Sequence, residues 1–186
     1  MFVTNWISTT KIQKISEITN FFRHYFLSRT EVYDRYSKGK LESKLAYHGE
    51  YKPYFEYIAD CLKKYSSQRD KQKGEAFVHG FTLAMTSQNK FYRPISELDN
   101  DGGYADIFLS PLCDIYKDMV DSYIIELKYC KSQTTDEQVK KLFEEASAQI
   151  SRYADSDMVR EAVKTTKLHK LVVIYRGAEM VACEEI

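Results

Sequence analysis

Apolar positions in the first third of the chain recur every three or four residues, which is the spacing of amphipathic helices. This pattern predicts one helix from Ser8 to about Leu27 and another from about Tyr51 to Ser66, with Pro53 in the first turn of the latter. The polar stretch Ser28 to Lys40 is predicted as a connection or a short helix. The first part of the chain is therefore predicted to be helical.

After the charged run that follows Ser66, the pattern changes to short apolar segments typical of strands. We place a boundary in this run, so residues 1–66 are predicted as a helical extension and residues 67–186 as a mixed unit. Its order of elements, α-β-β-β-α-β-β, predicts an α/β fold with a mixed central sheet flanked by helices. The predicted helices of this unit are Gln72–Ser87 and Asp136–Ala154, and the predicted strands are Phe91–Leu98, Tyr104–Leu109, Tyr123–Tyr129, Lys170–Tyr175 and Met180–Glu184.

Composition narrows the class of protein. The chain has 186 residues, of which 44% are hydrophobic and 29% charged, so it can bury a core of ordinary size. No apolar run reaches the roughly 18 residues of a membrane span, and no secretory segment follows Met1. We therefore expect a cytoplasmic protein without membrane contact. The four cysteines form no CxxC pair, so we expect reduced thiols rather than a zinc site.

The net charge is zero, but the two signs are unevenly distributed along the chain. Residues 1–75 carry 14 Lys and Arg against 9 Asp and Glu, whereas residues 76–186 carry 13 against 18. A basic segment can contact an anion such as the backbone of a nucleic acid. A solvated charged surface explains the same distribution, so charge alone does not identify a nucleic-acid-binding protein.

Charged residues interrupt two predicted strands that are otherwise apolar: Asp106 in the second strand, and Glu126 and Lys128 in the third. Residues two apart share a face of a strand, so Glu126 and Lys128 point the same way. A hairpin between these strands would place Asp106 beside Glu126. Two carboxylates and an ammonium on one face suit a hard cation such as Mg²⁺ acting on a phosphoryl group. A plain ion pair across two strands is the alternative.

Two predicted helices carry polar residues that could converge on the same place. Glu75 and His79 are one turn apart on the first helix of the mixed unit. Gln149 and Tyr153 are one turn apart on the following helix, near its apolar stripe. Four separate elements therefore each contribute polar groups.

This combination of residues resembles the PD-(D/E)XK nuclease superfamily and, more narrowly, the nuclease domain at the C-terminus of bacterial AAA-ATPase-like proteins. The resemblance covers about Lys71 to Ile186 and implies a restriction-endonuclease-like core. Ala105 stands where the nominal motif has proline. Residues 1–66 resemble the helical region that links the ATPase to the nuclease in such proteins. The matching segments are Glu75, Gly103-Tyr-Ala-Asp106-Ile, Ile125-Glu126-Leu-Lys128 and Gln149-x-x-x-Tyr153.

The resemblance implies a catalytic role for four of these residues. Asp106 and Glu126 would hold Mg²⁺, for which Mn²⁺ can substitute, and Lys128 would assist the attacking water. Glu75 would contact the metal through water or orient the site. The implied reaction is hydrolysis of phosphodiester bonds in a nucleic acid, with DNA expected as the substrate.

The resemblance also implies that Gln149 and Tyr153 position the scissile phosphate. His79 has no fixed role in the family pattern, and we expect it to be a partly buried structural histidine. The chain contains no Gly-x-x-x-x-Gly-Lys-[Ser/Thr] segment, so no nucleotide site is expected. An ATPase would then have to act in trans or belong to a segment that is missing from this chain.

Two other classes of function remain open. One is a catalytically inactive module with the nuclease fold that binds nucleic acid or a partner protein. Such a module should show no Mg²⁺- or Mn²⁺-dependent thermal shift that Asp106→Asn removes. The other is an interaction protein whose helical part binds a partner through aromatic residues between Tyr51 and Tyr65.

Overall fold

The computed structural model describes residues 35–65, 74–100, 103–154 and 157–186, and the helix predicted from Ser8 to Leu27 lies outside them. None of the described helices has the length and apolar character needed to cross a bilayer. The helices are α1 (Arg35–His48), α2 (Lys52–Tyr65), α3 (Glu75–Thr86), α4 (Asp136–Tyr153) and α5 (Asp157–Val163). The strands are β1 (Tyr92–Asn100), β2 (Gly103–Pro111), β3 (Asp121–Cys130), β4 (Lys167–Arg176) and β5 (Glu179–Glu185).

The five strands form one sheet in the order β1-β2-β3-β4-β5. The pairs β1–β2, β2–β3 and β4–β5 are antiparallel, whereas β3 and β4 are parallel and are joined by a crossover that contains α4 and α5. Helices flank the sheet, so the predicted α/β fold with a mixed central sheet is confirmed. The short helix α5 has no counterpart among the predicted elements.

Helix α4 begins where the sequence predicts it to begin, because the signal is local. Thr135 accepts a hydrogen bond from the backbone N–H of Gln138, and the Gln138 side chain accepts one from the backbone N–H of Thr135. This capping box satisfies two N–H groups that the first turn of a helix leaves without partners. The apolar residues of α4, which recur every three or four positions, then determine which side of the helix faces the sheet.

Residues 35–40 of the stretch predicted as a connection or a short helix lie in α1, a helix of 14 residues that continues to His48, beyond the predicted stretch. Helix α1 contacts α2 and also distant strands. The backbone carbonyl of Leu45 accepts hydrogen bonds from the hydroxyls of Tyr92, at 3.4 Å, and Tyr123, at 2.7 Å. Gly49 follows the helix with a φ of 66°, a conformation that glycine adopts without steric cost.

Hydrophobic residues pack on both faces of the sheet. One face is covered by α1, α2 and α3, and Phe55, Phe81 and Ile125 are among the residues buried there. The other face is covered by α4, whose Ile150 packs in one cluster with Ile124 and Phe108. Helices α1 and α2 therefore contribute to the same core as the sheet.

Helix α2 packs along β5, so residues far apart in the sequence are in contact. Lys52 Nζ lies 2.9 and 3.0 Å from the two carboxylate oxygens of Glu184, across 132 positions of the chain. Lys63 Nζ lies 3.2 Å from Glu179 Oε1. Both pairs are exposed and contribute little stability individually, but they show that α2 follows the edge strand over several turns.

A buried histidine links β3, β4 and β5 at the start of the parallel pair. Nε2 of His169 lies 2.7 Å from Asp121 Oδ1, and Nδ1 lies 2.9 Å from Glu185 Oε1. The ring of His169 stacks on that of Tyr123, with centroids 4.9 Å apart. Only 4% of the surface of His169 and of Asp121 is exposed, so this polar cluster is an integral part of the core.

Candidate active site

The strand positions of Asp106, Glu126 and Lys128 place all three side chains on one face of the sheet. Alternate residues of a strand share a face. Glu126 and Lys128 therefore lie on the same side as Ile124, and Asp106 lies on the same side as Phe108, which is the side that α4 covers. The sequence-based expectation that these groups share a face agrees with this arrangement.

Asp106 lies where β2 begins to leave β3. The pairing of the two strands runs through Leu109↔Tyr123, Phe108↔Ile124 and Ile107↔Ile125. One further step would place Asp106 opposite Glu126. There, the carboxylate of Asp106 accepts a hydrogen bond of 2.9 Å from the backbone N–H of Leu127. This bond fixes the direction of the carboxylate beside Glu126.

Glu126 and Lys128 form an ion pair that is largely removed from water. Lys128 Nζ donates to Glu126 Oε1 at 2.7 Å, and the side chains are 20% and 2% exposed respectively. The second carboxylate oxygen of Glu126, Oε2, is buried and has no hydrogen-bond partner within the described part of the chain. A buried oxygen of this kind is costly unless a further group binds it.

The electrostatics of the pair reflect the crowding of negative charge. Burial, followed by the charge of Asp106, raises the pKa of Glu126 to about 7, although the hydrogen bond from Lys128 acts in the opposite direction. Burial acts to lower the pKa of Lys128, but the hydrogen bond to Glu126 and the charges of Glu126, Asp106 and Glu75 raise it overall. The lysine therefore remains an ammonium that faces carboxylates.

Glu75 is the first residue of α3 and is exposed. Its charge raises the pKa values of both Glu126 and Lys128, so it lies within electrostatic range of the ion pair. The helix begins beside the far end of β3, since a Cβ atom placed on Gly74 would lie 3.5 Å from the ring of Tyr129. Glu75 therefore acts on the Glu126–Lys128 ion pair through its charge, from a different element of the fold.

The two residues predicted on α4 are less closely tied to this group. Gln149 is half-buried next to Ile150, on the helix that covers the relevant face of the sheet. No hydrogen bond joins Gln149 to Asp106, Glu126 or Lys128 within the described residues. Tyr153 ends α4, and its side chain lies outside what the structure describes.

His79 is 6% exposed, and its Nε2 atom lies 3.0 Å from the backbone carbonyl of Asp106. The sequence indicates only that His79 shares a helix face with Glu75. Neither this contact nor the hydrogen bond from Leu127 has a signal in the sequence, because both depend on where the β2–β3 ladder ends.

The donor atoms fit a divalent cation. No three His, Cys, Asp or Glu side chains among the described residues are arranged to hold a metal ion. Mg²⁺, however, is usually bound through one or two carboxylates, with water and substrate phosphate completing its octahedron. Asp106 and Glu126 supply two such carboxylates, and Glu126 Oε2 is an oxygen without a partner. A cation there would offset the cost of ionising Glu126.

A sequence model of the PD-(D/E)XK nuclease superfamily matches residues 73–185, which is more than half of the chain. The match spans α3, the whole sheet and both crossover helices. Comparisons with curated proteins and with solved structures give no match.

Proposed function

Because this chain belongs to the PD-(D/E)XK nuclease superfamily, we propose that it is a divalent-metal-dependent nuclease that hydrolyses phosphodiester bonds, with DNA as its substrate and Mg²⁺ as its metal. One observation carries the proposal. Asp106, Glu126 and Lys128 share one face of the sheet, and a buried oxygen of Glu126 has no partner there. Carboxylate oxygens can bind a divalent cation, and an ammonium can offset the charge that develops on the phosphate. Phosphate hydrolysis needs both groups.

In this proposal Asp106 and Glu126 hold the cation. When bound, a divalent cation supplies Lewis-acid stabilisation of a phosphate oxygen and lowers the pKa of bound water. The hydrogen bond from the Leu127 backbone keeps the Asp106 carboxylate directed towards Glu126. Both ligands are therefore oriented before the nucleic acid arrives, which reduces the reorganisation required during the reaction.

Lys128 acts on the attacking water and on the phosphate. Its ammonium lies beside Glu126 with 20% of its side chain exposed, so it is partly desolvated yet accessible. It orients the water and offsets the negative charge that develops on the phosphate oxygens. Water adds to phosphorus, one P–O ester bond breaks, and the products are a phosphate monoester and a hydroxyl group.

Glu75 contacts the metal through water or orients the site, and Gln149 and Tyr153 position the scissile phosphate from α4. This assignment follows from the resemblance to the nuclease superfamily. The position of α4 over the sheet face that carries Asp106, Glu126 and Lys128 supports it. The association with an AAA-type ATPase, in trans or through a further segment, stays a prediction from the resemblance.

The test is cleavage of supercoiled and single-stranded DNA, and of RNA, with Mg²⁺ or Mn²⁺. Wild type is compared with Lys128→Ala and Asp106→Ala, and Lys141→Ala on the exposed side of α4 serves as a control that removes the same charge. Wild type and Lys141→Ala should cut, and the two site variants should lose at least about a hundredfold in rate. Equal cutting by all four proteins would refute the assigned site. No cutting by wild type on any substrate would favour an inactive module with the same fold.

A further inference from the structure

The backbone of Asp106 occupies an unusual place in the sheet. The β2–β3 ladder ends at Ile107↔Ile125, and beyond it the Asp106 carboxylate accepts a hydrogen bond from the backbone N–H of Leu127. A carboxylate at the end of a ladder can rotate with its backbone, whereas a metal ligand must hold its direction closely. Pairing with β1 continues on both sides of Asp106, at Ser96↔Ile107 and Leu98↔Ala105, so a further contact with the Asp106 backbone would add to the support that β1 gives.

Helix α3 supplies that contact from the opposite side of the sheet. Nε2 of His79 lies 3.0 Å from the carbonyl oxygen of Asp106, and Ser96 Oγ lies 3.5 Å from the same nitrogen. A carbonyl oxygen can only accept a hydrogen bond, so Nε2 of the ring carries the hydrogen. His79 is 6% exposed, which protects this bond from competition by water.

We propose that His79 is a positioning residue for the metal-binding carboxylate. By donating to the carbonyl of Asp106, it fixes the strand backbone where β2 leaves β3, and so directs the carboxylate towards Glu126 and the N–H of Leu127. This inference rests on the proposed nuclease function, and it adds a role to a histidine that the sequence alone predicts to be merely structural. His79 touches neither the metal nor the substrate.

The variants separate the hydrogen bond from simple packing. His79→Leu removes the donor and keeps an apolar side chain of comparable bulk. His79→Gln carries an amide N–H that can reach the same carbonyl, and the shorter His79→Asn cannot reach it. Thr82→Val is the matched control, because Thr82 is buried one turn further along α3.

The first measurement is hydrogen exchange of the Leu127 amide in the metal-free protein, by NMR with isotope-labelled leucine. Leu171, in the centre of β4, is the internal reference. In His79→Leu, exchange at Leu127 should be about tenfold faster while exchange at Leu171 changes little. His79→Gln and Thr82→Val should behave like wild type. Unchanged exchange at Leu127 in His79→Leu, or equal acceleration at both leucines, would overturn the proposal.

The second measurement is Mn²⁺ binding by calorimetry without nucleic acid. His79→Leu should weaken binding about tenfold or more, as expected when a group that orients a ligand is removed, and His79→Gln should restore it. If His79→Leu fails to fold, the comparison of His79→Gln with His79→Asn decides. If wild type neither binds metal nor cuts, the proposed function fails, while the exchange of Leu127 still shows whether His79 positions Asp106.

Discussion

Replacing Glu126 by glutamine should stabilise the metal-free protein, and the gain should appear only as the pH rises. Burial and the neighbouring Asp106 raise the pKa of Glu126 from 4.5 to about 7 in the folded state. One pKa unit corresponds to about 1.4 kcal/mol, so ionising this carboxyl in the folded protein costs about 3 kcal/mol more than in the unfolded chain. Glu126 is 2% exposed, so solvent screening does not reduce this figure much.

The direction in which the free energy of unfolding changes with pH follows from proton binding in the folded and unfolded states. Between the unfolded and folded pKa values, the folded protein holds the proton more tightly than the unfolded chain, so the free energy of unfolding falls as the pH rises. The stabilising contribution of protonated Glu126 is complete below about pH 4.5 and is lost as the pH passes about 7. Glutamine mimics the protonated carboxyl at every pH, so Glu126→Gln should escape this loss.

The assay is urea unfolding in EDTA at about pH 5 and about pH 8, where the free energy of unfolding is compared between wild type and Glu126→Gln. The advantage of the variant should grow by about 2 to 3 kcal/mol between the two conditions. Glu144→Gln, on the exposed side of α4, controls for the loss of one negative charge. Excess Mg²⁺ or Mn²⁺ at the higher pH should narrow the gap by stabilising wild type alone. A gap that does not change with pH would refute the idea that Glu126 is a buried, crowded carboxylate.

Three further predictions concern stability. Deleting residues 1–66 should abolish the cooperative thermal transition seen by circular dichroism, because the deletion removes two helices of the core; a sharp transition in the truncated protein would contradict this. Phe55→Ala, at a fully buried position of α2, should lower the free energy of unfolding by about 3–5 kcal/mol in urea, whereas a loss under about 1 kcal/mol would place Phe55 outside the core. Thr135→Ala should cost about 1 kcal/mol through the lost cap of α4, and Thr135→Ser should recover most of it.

The elements with a local signal are those that the sequence predicts well. Strand β3 follows from a run of mostly apolar residues and helix α4 from helical spacing, and the start of α4 is fixed by the capping residue Thr135. Helix α1 has little periodicity, and its contacts include the hydroxyls of Tyr92 and Tyr123, far along the chain. No local pattern encodes such contacts, so the spacing of residues in the sequence does not predict how far α1 extends.

The candidate site likewise contains residues that the sequence predicts and contacts that it does not predict. Charges at Asp106, Glu126 and Lys128 stand out because apolar strands rarely carry them, and period-two alternation places them on one face. The bonds that orient Asp106, from Leu127 and His79, depend on the step at which two strands separate. The position where β2 and β3 separate depends on the pairing of the whole sheet, so the spacing of residues in the sequence does not predict it. The roles of the site residues and the boundary after residue 66 stay predictions.

The contact of α2 with β5 also has a kinetic consequence. Lys52 and Glu184 meet across 132 positions, and closing so large a loop costs conformational entropy before any contact compensates it. The parallel pairing of β3 and β4 likewise has to wait for the crossover between them to form. We therefore expect slow refolding. In a chain emerging from the ribosome, the side of α2 that packs on β5 would stay uncovered until β5 had been synthesised, and this interval exposes the protein to aggregation.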